Sequence, residues 1–321
     1  MSRVVAVHAT GGPDVLSVED WPVGAPGPGQ VRIRQTAIGL NFIDTYQRSG
    51  LYPRSLPFVA GNEAAGVVEE LGEGVTEFKP GDRVAYQGVT GAYAEERLVP
   101  AAKLVPIPDG VDNRTAAAIL LKGLTAYYLL FKTWPVQKGE TILWHAAAGG
   151  TGLIATQWAR ALGATVIGTA AGPEKVAQAR GCDQVIDYKN EDFPERVKEI
   201  TGGRGVDVVY DGVGKATFEG SLDCLRPRGL LVSFGNASGV VSMPDLGILA
   251  RKGSLYVTRP TGVDYFARRE DLLEGAEALF AAVQSGAIHV ESPRSFALEK
   301  VAEAHRALEG RETTGSVVLL P

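Results

Sequence analysis

Thr141-Ile142-Leu143-Trp144-His145-Ala146 runs into Ala147-Ala148-Gly149-Gly150-Thr151-Gly152, and that into the stretch from Leu153 to Leu162. The first segment reads as a buried strand. The third reads as a helix with Leu153, Ile154, Gln157, Trp158, Ala161 and Leu162 on one face. Between them the glycines permit a tight turn and let backbone N–H groups approach a pyrophosphate, with the positive end of the helix facing that charge. The spacing is A-x-G-x-x-G, with Ala147 in place of the usual first glycine. Alone such a loop is a weak signal, because a Gly-rich turn can be purely structural. A strand before it and a helix behind it supply the context that dinucleotide binding requires.

Five more strand candidates follow. They are Ala164 to Thr169, Gln184 to Asp187, Val206 to Tyr210, Gly229 to Phe234 and Ser254 to Val257, with a helix around Gln178 among the crossovers. Six strands with helical crossovers imply a doubly wound parallel sheet of the Rossmann type. Ligands bind such sheets outside the carboxyl ends of the strands. Asp211-Gly212-Val213-Gly214 and Phe234-Gly235-Asn236 stand at two of those ends and are candidates to contact a cofactor. A site for NAD usually carries an acid at the end of the second strand, to hold the ribose 2′-OH. Thr169-Ala170-Ala171-Gly172 carries none, Lys175 follows, and Tyr188 comes after the third strand. Small residues with a cation nearby suit a 2′-phosphate, so NADPH is expected over NADH. Glu174 is expected to face outward from a first helical turn.

The first third of the chain is β-rich. Short apolar stretches alternate with turn signals such as Gly24-Ala25-Pro26-Gly27-Pro28-Gly29 and Lys79-Pro80-Gly81-Asp82. Strands are expected at Val31 to Arg34, Val67 to Leu71 and Arg83 to Tyr86, and a helix from Asn113 to Thr133. The tail from about Glu270 holds two helical stretches and a final strand, Gly315 to Leu320. It is expected to fold back onto the first domain.

Among 321 residues, 45% are hydrophobic and 21% charged, enough for two domains with cores of their own. A net charge of −5 argues against a nucleic-acid partner, whose binder usually shows a basic face. No apolar run is long enough to cross a bilayer, and no signal peptide is legible, so the cytoplasm is the expected compartment. Two cysteines, Cys182 and Cys224, exclude a disulfide framework and a multi-cysteine zinc site. None of the four histidines is paired with another His or a Cys at helical spacing, so no metal is expected. Hydride transfer needs no protein nucleophile, since the cofactor carries that chemistry.

Several stretches, in order, resemble one family over essentially the whole chain. They are Gly39 to Tyr46, Pro57 to Gly66, Leu121 to Ala126, Ala146 to Gly152, Tyr210 to Gly214 and Gly253 to Pro260. The sequence resembles the zinc-independent quinone oxidoreductase (zeta-crystallin-like) branch of the medium-chain dehydrogenase/reductases. Zinc-dependent relatives carry Cys where Asn41 stands and His where Asn62 stands. Thr151 departs from the valine more usual in the branch.

The resemblance implies an α/β chain with a GroES-like β-rich catalytic domain and a Rossmann domain. The expected boundaries are 1–122 for the first part of the catalytic domain, 123–262 for the NADPH-binding domain and 263–321 for the tail that completes the catalytic domain. It implies that Gly149, Gly150, Thr151 and Gly152 receive the pyrophosphate, with the nicotinamide in an interdomain cleft. Asn41 and Thr125 would then lie near the nicotinamide. Thr169, Ala170, Ala171, Lys175 and Tyr188 would lie around the 2′-phosphate. Gly212, Val213, Phe234, Gly235, Asn236, Thr258 and Arg311 complete the expected cofactor set. Asn41, Tyr46, Tyr52 and Arg259 are the expected catalytic residues of the substrate cleft, a tyrosine hydroxyl serving the acceptor's oxygen as it gains charge. The implied reaction is NADPH-dependent reduction of a quinone by a homodimer. Reduction of an alkenal or enone at its C=C bond is the nearest alternative. An NADPH-binding RNA-binding or structural protein with little turnover is an alternative of another class.

Overall fold

A computed structural model of the chain describes residues 1–243 and 245–321. The β-rich start comprises β1 (Ser2–Val7), β2 (Leu16–Trp21), β3 (Gln30–Leu40), helix α1 (Phe42–Ser49), β4 (Phe58–Val59), β5 (Glu63–Leu71), β6 (Arg83–Gln87), β7 (Glu96–Pro100) and β8 (Leu104–Pro106). Helix α2 (Asn113–Tyr127) continues into a π-helical turn over Tyr128–Thr133. Alternation then begins: β9 (Thr141–Trp144), α3 (Gly150–Ala161), β10 (Thr165–Ala170), α4 (Pro173–Gln178), β11 (Gln184–Asp187), α5 (Phe193–Ile200), β12 (Val206–Asp211), α6 (Phe218–Asp223), β13 (Leu225–Ser233), α7 (Gly247–Arg251), β14 (Tyr256–Thr258) and α8 (Gly262–Tyr265). The tail is α9 (Arg269–Gln284), β15 (Arg294–Ala297), α10 (Val301–Glu309) and β16 (Val317–Leu320).

The chain divides into two compact units. Met1–Leu124, Phe266–Gln284 and Val290–Pro321 form the first. Its main sheet runs β15-β16-β3-β5-β6-β8, with β7 also on β3. On β3, Val31, Ile33, Gln35 and Ala37 are buried while Arg34 and Thr36 face outward, the period of two that the sequence displays. The tail does fold back: β16 lies antiparallel to β3, Val317 opposite Leu40, and Leu298, Val301 and Leu319 enter the same core as Val5, Ile33 and Leu104. The sequence reading missed β15, whose four residues are half-buried or exposed and which pairs parallel with β16.

Thr125–Tyr265 and Ser285–His289 form the second unit. Its six strands are all parallel, in the order β11-β10-β9-β12-β13-β14. This is the doubly wound order that binds nucleotides where the order reverses, between β9 and β12 and outside the strands' carboxyl ends. Every residue of β12 is buried, as expected for a strand covered on both faces.

Two expectations need correction. First, α3 does not bury the face expected of it. Ala161 is exposed, and Leu153, Gln157 and Leu162 are only half-buried, while Gly152, Ala155, Thr156 and Ala159 are buried beside Ile154 and Trp158. A line of small residues lets the helix axis lie close over the sheet, so apolar bulk alone pointed to the wrong face. Second, β9 stops at Trp144; His145 and Ala146 already belong to the turn, with Ala146 at φ +54°.

Leu231 on β13 is fully buried with Leu143, Ile167 and Val209. Leu231→Ala is expected to cost about 3 kcal/mol through lost burial and the cavity left behind. Thermal unfolding would show this as a melting temperature several degrees lower.

Candidate active site

In the second unit, the turn after β9 is shaped by close backbone contact. Gly149 N donates to Ala146 O at 2.9 Å, closing the turn. A Cβ on Gly152 would lie 2.5 Å from Ala146 O and 2.8 Å from Ala147 Cα, so no side chain fits there. Gly149 is the N-cap of α3 and offers no side-chain acceptor to the N–H groups of the first turn, Gly150, Thr151 and Gly152. A helix start that brings uncapped donors to the carboxyl edge of the sheet fits an anionic group such as a pyrophosphate.

Thr169 and Ala170 end β10, buried, and Ala171 is half-buried. Lys175 lies half-buried on the short α4; Glu174 beside it is exposed, as expected. Tyr188 follows β11 with 38% of its surface exposed, and its N–H donates to Ala170 O at 3.2 Å. Asp187, an acid the sequence reading did not weigh, stands beside these residues. Its Oδ1 accepts from Gly172 N at 2.8 Å and Lys189 N at 3.2 Å, and its Oδ2 from Asn190 Nδ2 at 2.7 Å. The Gly172 N–H foremost holds its carboxyl below the usual range. Asp187 therefore braces the 170–172 turn. The local signal is an Asp at the end of a strand, whose side chain readily accepts the backbone N–H two residues on, here that of Lys189.

The turns after β12 and β13 pack backbone to backbone. A Cβ on Gly235 would lie 2.2 Å from Gly212 O, so glycine is required there, while one on Gly212 would lie 2.9 Å from the Phe234 ring and would have to displace it. Asp211 Oδ1 accepts from Val213 N and Gly214 N at 2.8 and 2.9 Å. The Phe234 ring sits 5.5 Å from that of Trp144, and Asn236 is buried. Arg259, after half-buried Thr258, anchors its guanidinium on Ser233 Oγ at 3.0 Å and Gly235 O at 2.9 Å. Thr125 is half-buried on α2.

In the first unit, Asn41 caps α1 and is buried. Its N–H donates to Asp44 Oδ2 at 2.8 Å, and its Nδ2 to Glu63 Oε2 at 2.8 Å. Glu63 also accepts from Leu121 N at 2.5 Å and pairs with Lys122 Nζ at 3.7 Å. Asn62 Nδ2 donates to Asp44 Oδ1 at 2.6 Å and Gln47 Oε1 at 2.8 Å. The two positions where zinc-dependent relatives carry ligands thus hold carboxamides whose donors bind oxygen atoms of the protein. Burial raises the Asp44 carboxyl to about 6, against the pull of donors from Asn62, Asn41 and Tyr93. Burial also raises Glu63, against Lys122. Tyr46 and Tyr52 are half-buried and meet edge to face, ring centres 5.2 Å apart. Arg311 lies exposed in the tail at φ +58°. The structure thus gathers Asn41, Tyr46 and Tyr52 around α1 in the first unit, and the glycine loop, the strand-end turns and Arg259 at the sheet edge of the second, while Arg311 belongs to the tail of the first unit.

The buried cluster extends to His305, whose Nε2 lies 3.1 Å from Tyr93 OH and Nδ1 2.9 Å from Arg48 Nη1. Burial, then the Arg48 charge, lowers its pKa to about 3. Between about pH 6.5 and 3 the unfolded chain binds a proton here that the folded one does not. The stability this neutral imidazole contributes is therefore present above that window and lost as pH falls through it. Compared with His305→Gln, the wild type should lose stability from pH 7 to pH 4 with a slope of at most about 1.4 kcal/mol per pH unit. Chemical denaturation of both proteins at each pH measures the difference.

A GroES-like sheet unit and a Rossmann unit on one chain are the two parts of a medium-chain dehydrogenase/reductase. The family models agree: the alcohol dehydrogenase GroES-like domain matches residues 27–109, and the zinc-binding dehydrogenase family matches 150–274. The chain is 54% identical to a quinone oxidoreductase of Pseudomonas aeruginosa, covering all of both proteins. It is 50% identical to a 2-haloacrylate reductase of a Burkholderia species, covering all of this chain and 99% of that one. The crystal structure of Escherichia coli quinone oxidoreductase complexed with NADPH superposes with a TM-score of 0.97 at 49% identity, over the full length of both chains. The chain belongs to the zeta-crystallin-like quinone oxidoreductase branch of the medium-chain dehydrogenase/reductase superfamily.

Proposed function

We propose that this chain is a metal-free, NADPH-dependent oxidoreductase that reduces a quinone by hydride transfer. The observation that carries the reading is the sheet edge. A glycine turn with uncapped helix donors stands beside a β10 end that holds no acid, while the nearest acid, Asp187, is committed to backbone N–H groups. Bound there, NADPH would supply the hydride. Gly149, Gly150, Thr151 and Gly152 hold the pyrophosphate by backbone donors. Thr169, Ala170 and Ala171 leave room for the 2′-phosphate, and Lys175 and Tyr188 bind it. Gly212, Val213, Phe234, Gly235, Asn236 and Thr258 shape the remaining cofactor surface, with Thr125, Asn41 and Arg311 as further contacts. Tyr46 and Tyr52 hydrogen-bond the acceptor's oxygen as it gains charge, and Tyr46 passes it a proton. Asn41 orients the acceptor from its fixed carboxamide, and Arg259 supplies a held positive charge.

The proposed division of labour assigns 1–122 and 263–321 to catalysis and 123–262 to NADPH. Likeness to the 2-haloacrylate reductase favours a second reading, reduction of a conjugated C=C bond in the same site.

Among the described residues no helix is long and apolar enough to cross a membrane. We further propose a cytoplasmic homodimer. Among the described residues β14 pairs only with β13, and that sheet edge supports pairing of two copies: Tyr256 is 60% exposed there, in a unit that also exposes Leu246 and Val263. Light scattering is expected to give twice the chain mass, and a monomer at micromolar concentration would refute the dimer.

NADPH is expected to bind more than about tenfold tighter than NADH, since a paired phosphate is worth at least ~1.4 kcal/mol. Lys175→Ala is expected to narrow that ratio chiefly by weakening NADPH. Benzoquinone-dependent NADPH oxidation in the presence of a chelator tests the reaction. Binding without benzoquinone turnover, but with turnover of an enone, would move the assignment to the second reading.

A further inference from the structure

One imidazole joins the carboxyl ends of three strands in the second unit. Thr169 Oγ1, at the end of β10, accepts the N–H of Ala146 at 3.3 Å and lies 3.0 Å from His145 Nδ1. On the far side of the ring, His145 Nε2 lies 3.0 Å from Ser221 Oγ, and Ser221 Oγ donates to Asp211 Oδ2 at 3.1 Å. Asp211 ends β12, and its other oxygen holds the N–H groups of Val213 and Gly214. His145, Thr169, Ser221 and Asp211 are each at most 2% exposed.

Counting protons gives the chain a direction. The Ser221 hydroxyl faces two acceptors, Asp211 Oδ2 and the Thr217 carbonyl oxygen 2.8 Å away, so its one proton points to them and His145 Nε2 donates to it. A neutral imidazole that donates from Nε2 accepts at Nδ1, here from the Thr169 hydroxyl. Burial keeps the ring neutral, though Asp211 pulls the other way. Ser221 is no nucleophile: it is fully buried, and Asp211 binds the serine rather than the imidazole.

The upstream end of the chain lies at the most constrained point of the glycine turn. Ala146 holds φ +54°, a left-handed conformation that a non-glycine residue keeps only when its surroundings enforce it. Its carbonyl accepts from Gly149 and so sets where the turn's N–H groups point. We infer that His145 is a positioning residue that couples the glycine turn to the Asp211–Gly214 turn, so that the two nucleotide-facing turns keep one relative register. The inference rests on the proposed binding of NADPH.

NADPH titrated by fluorescence into the wild type, Ser221→Ala, His145→Phe and the double variant tests it, with melting temperature and steady-state kinetics measured alongside. Phe keeps an aromatic ring edge-on to Phe193, where the imidazole now sits at 4.9 Å. Each single variant should bind NADPH about tenfold more weakly, as loss of one buried hydrogen bond implies. The double variant should bind no worse than the weaker single one, because a broken chain cannot be broken twice. Ser221→Ala should raise KM for NADPH and leave kcat at saturation within about twofold, a split that general destabilisation does not produce. Unchanged NADPH affinity in folded Ser221→Ala, or additive losses in the double variant, would overturn the inference while leaving the function intact. Failure of the wild type to bind NADPH would overturn the functional reading, and this inference with it.

Discussion

The second unit depends on one short distance. At Gly152 the backbone of α3 comes so near the end of β9 that a methyl group would sit 2.5 Å from the Ala146 carbonyl oxygen. That approach brings the start of the helix down onto the carboxyl edge of the sheet, where its first N–H groups meet no capping side chain. The buried line of Gly152, Ala155, Thr156 and Ala159 continues the close contact along the helix. Bulk at any of these positions would lift the helix, and the turn with it. The cost is a strained Ala146, which is held from three directions. His145 N donates to Tyr210 O, Ala147 N to Thr169 O, and Thr169 Oγ1 accepts from Ala146 itself.

The first unit solves a different problem. Near Asn41 it buries two carboxylates, Asp44 and Glu63, with Lys122, Arg48 and His305 in the same region. Burying a charge is expensive unless it is paired and hydrogen-bonded, and here each of the four carboxyl oxygens has a donor. The reward is rigidity around α1. Asp44, three residues into the helix, reaches back to its cap and across to Asn62, while Glu63 holds the Asn41 carboxamide. Asparagine at both positions favours this arrangement. A carboxamide donates to carboxylates, which a thiolate ligand cannot do.

The two halves of the proposed chemistry thus rest on different physics. Nucleotide binding is assigned to backbone donors and small residues at a sheet edge, where glycine matters more than any side chain. Acceptor binding is assigned to side chains: Asn41, held by helix capping and buried hydrogen bonds, and Tyr46 and Tyr52, packed ring against ring. Similarity to a reductase of haloacrylates as well as to quinone oxidoreductases fits this division, because the sheet edge does not select the acceptor.

The sequence by itself determined the architecture. Apolar runs separated by helical stretches dictate six parallel strands, and the glycine spacing marks the nucleotide edge, because backbone geometry leaves few residue choices there. It also pointed to the tail's return to the first unit, since a βαβ domain could end before it, and the pairing of β16 with β3 completes that return. Only the tertiary structure decided which face of α3 is buried, because small residues pack closest and carry no hydrophobic signal. It alone revealed β15, too polar to announce itself, and the reach of Asp187 across to Gly172 in the neighbouring turn, fifteen positions away. It alone linked His145 to Asp211 through Ser221 and Asp44 to His305 through Tyr93, joining residues 66 and 261 positions apart. Such pairings are set by how strands and helices stack, and no local pattern records them.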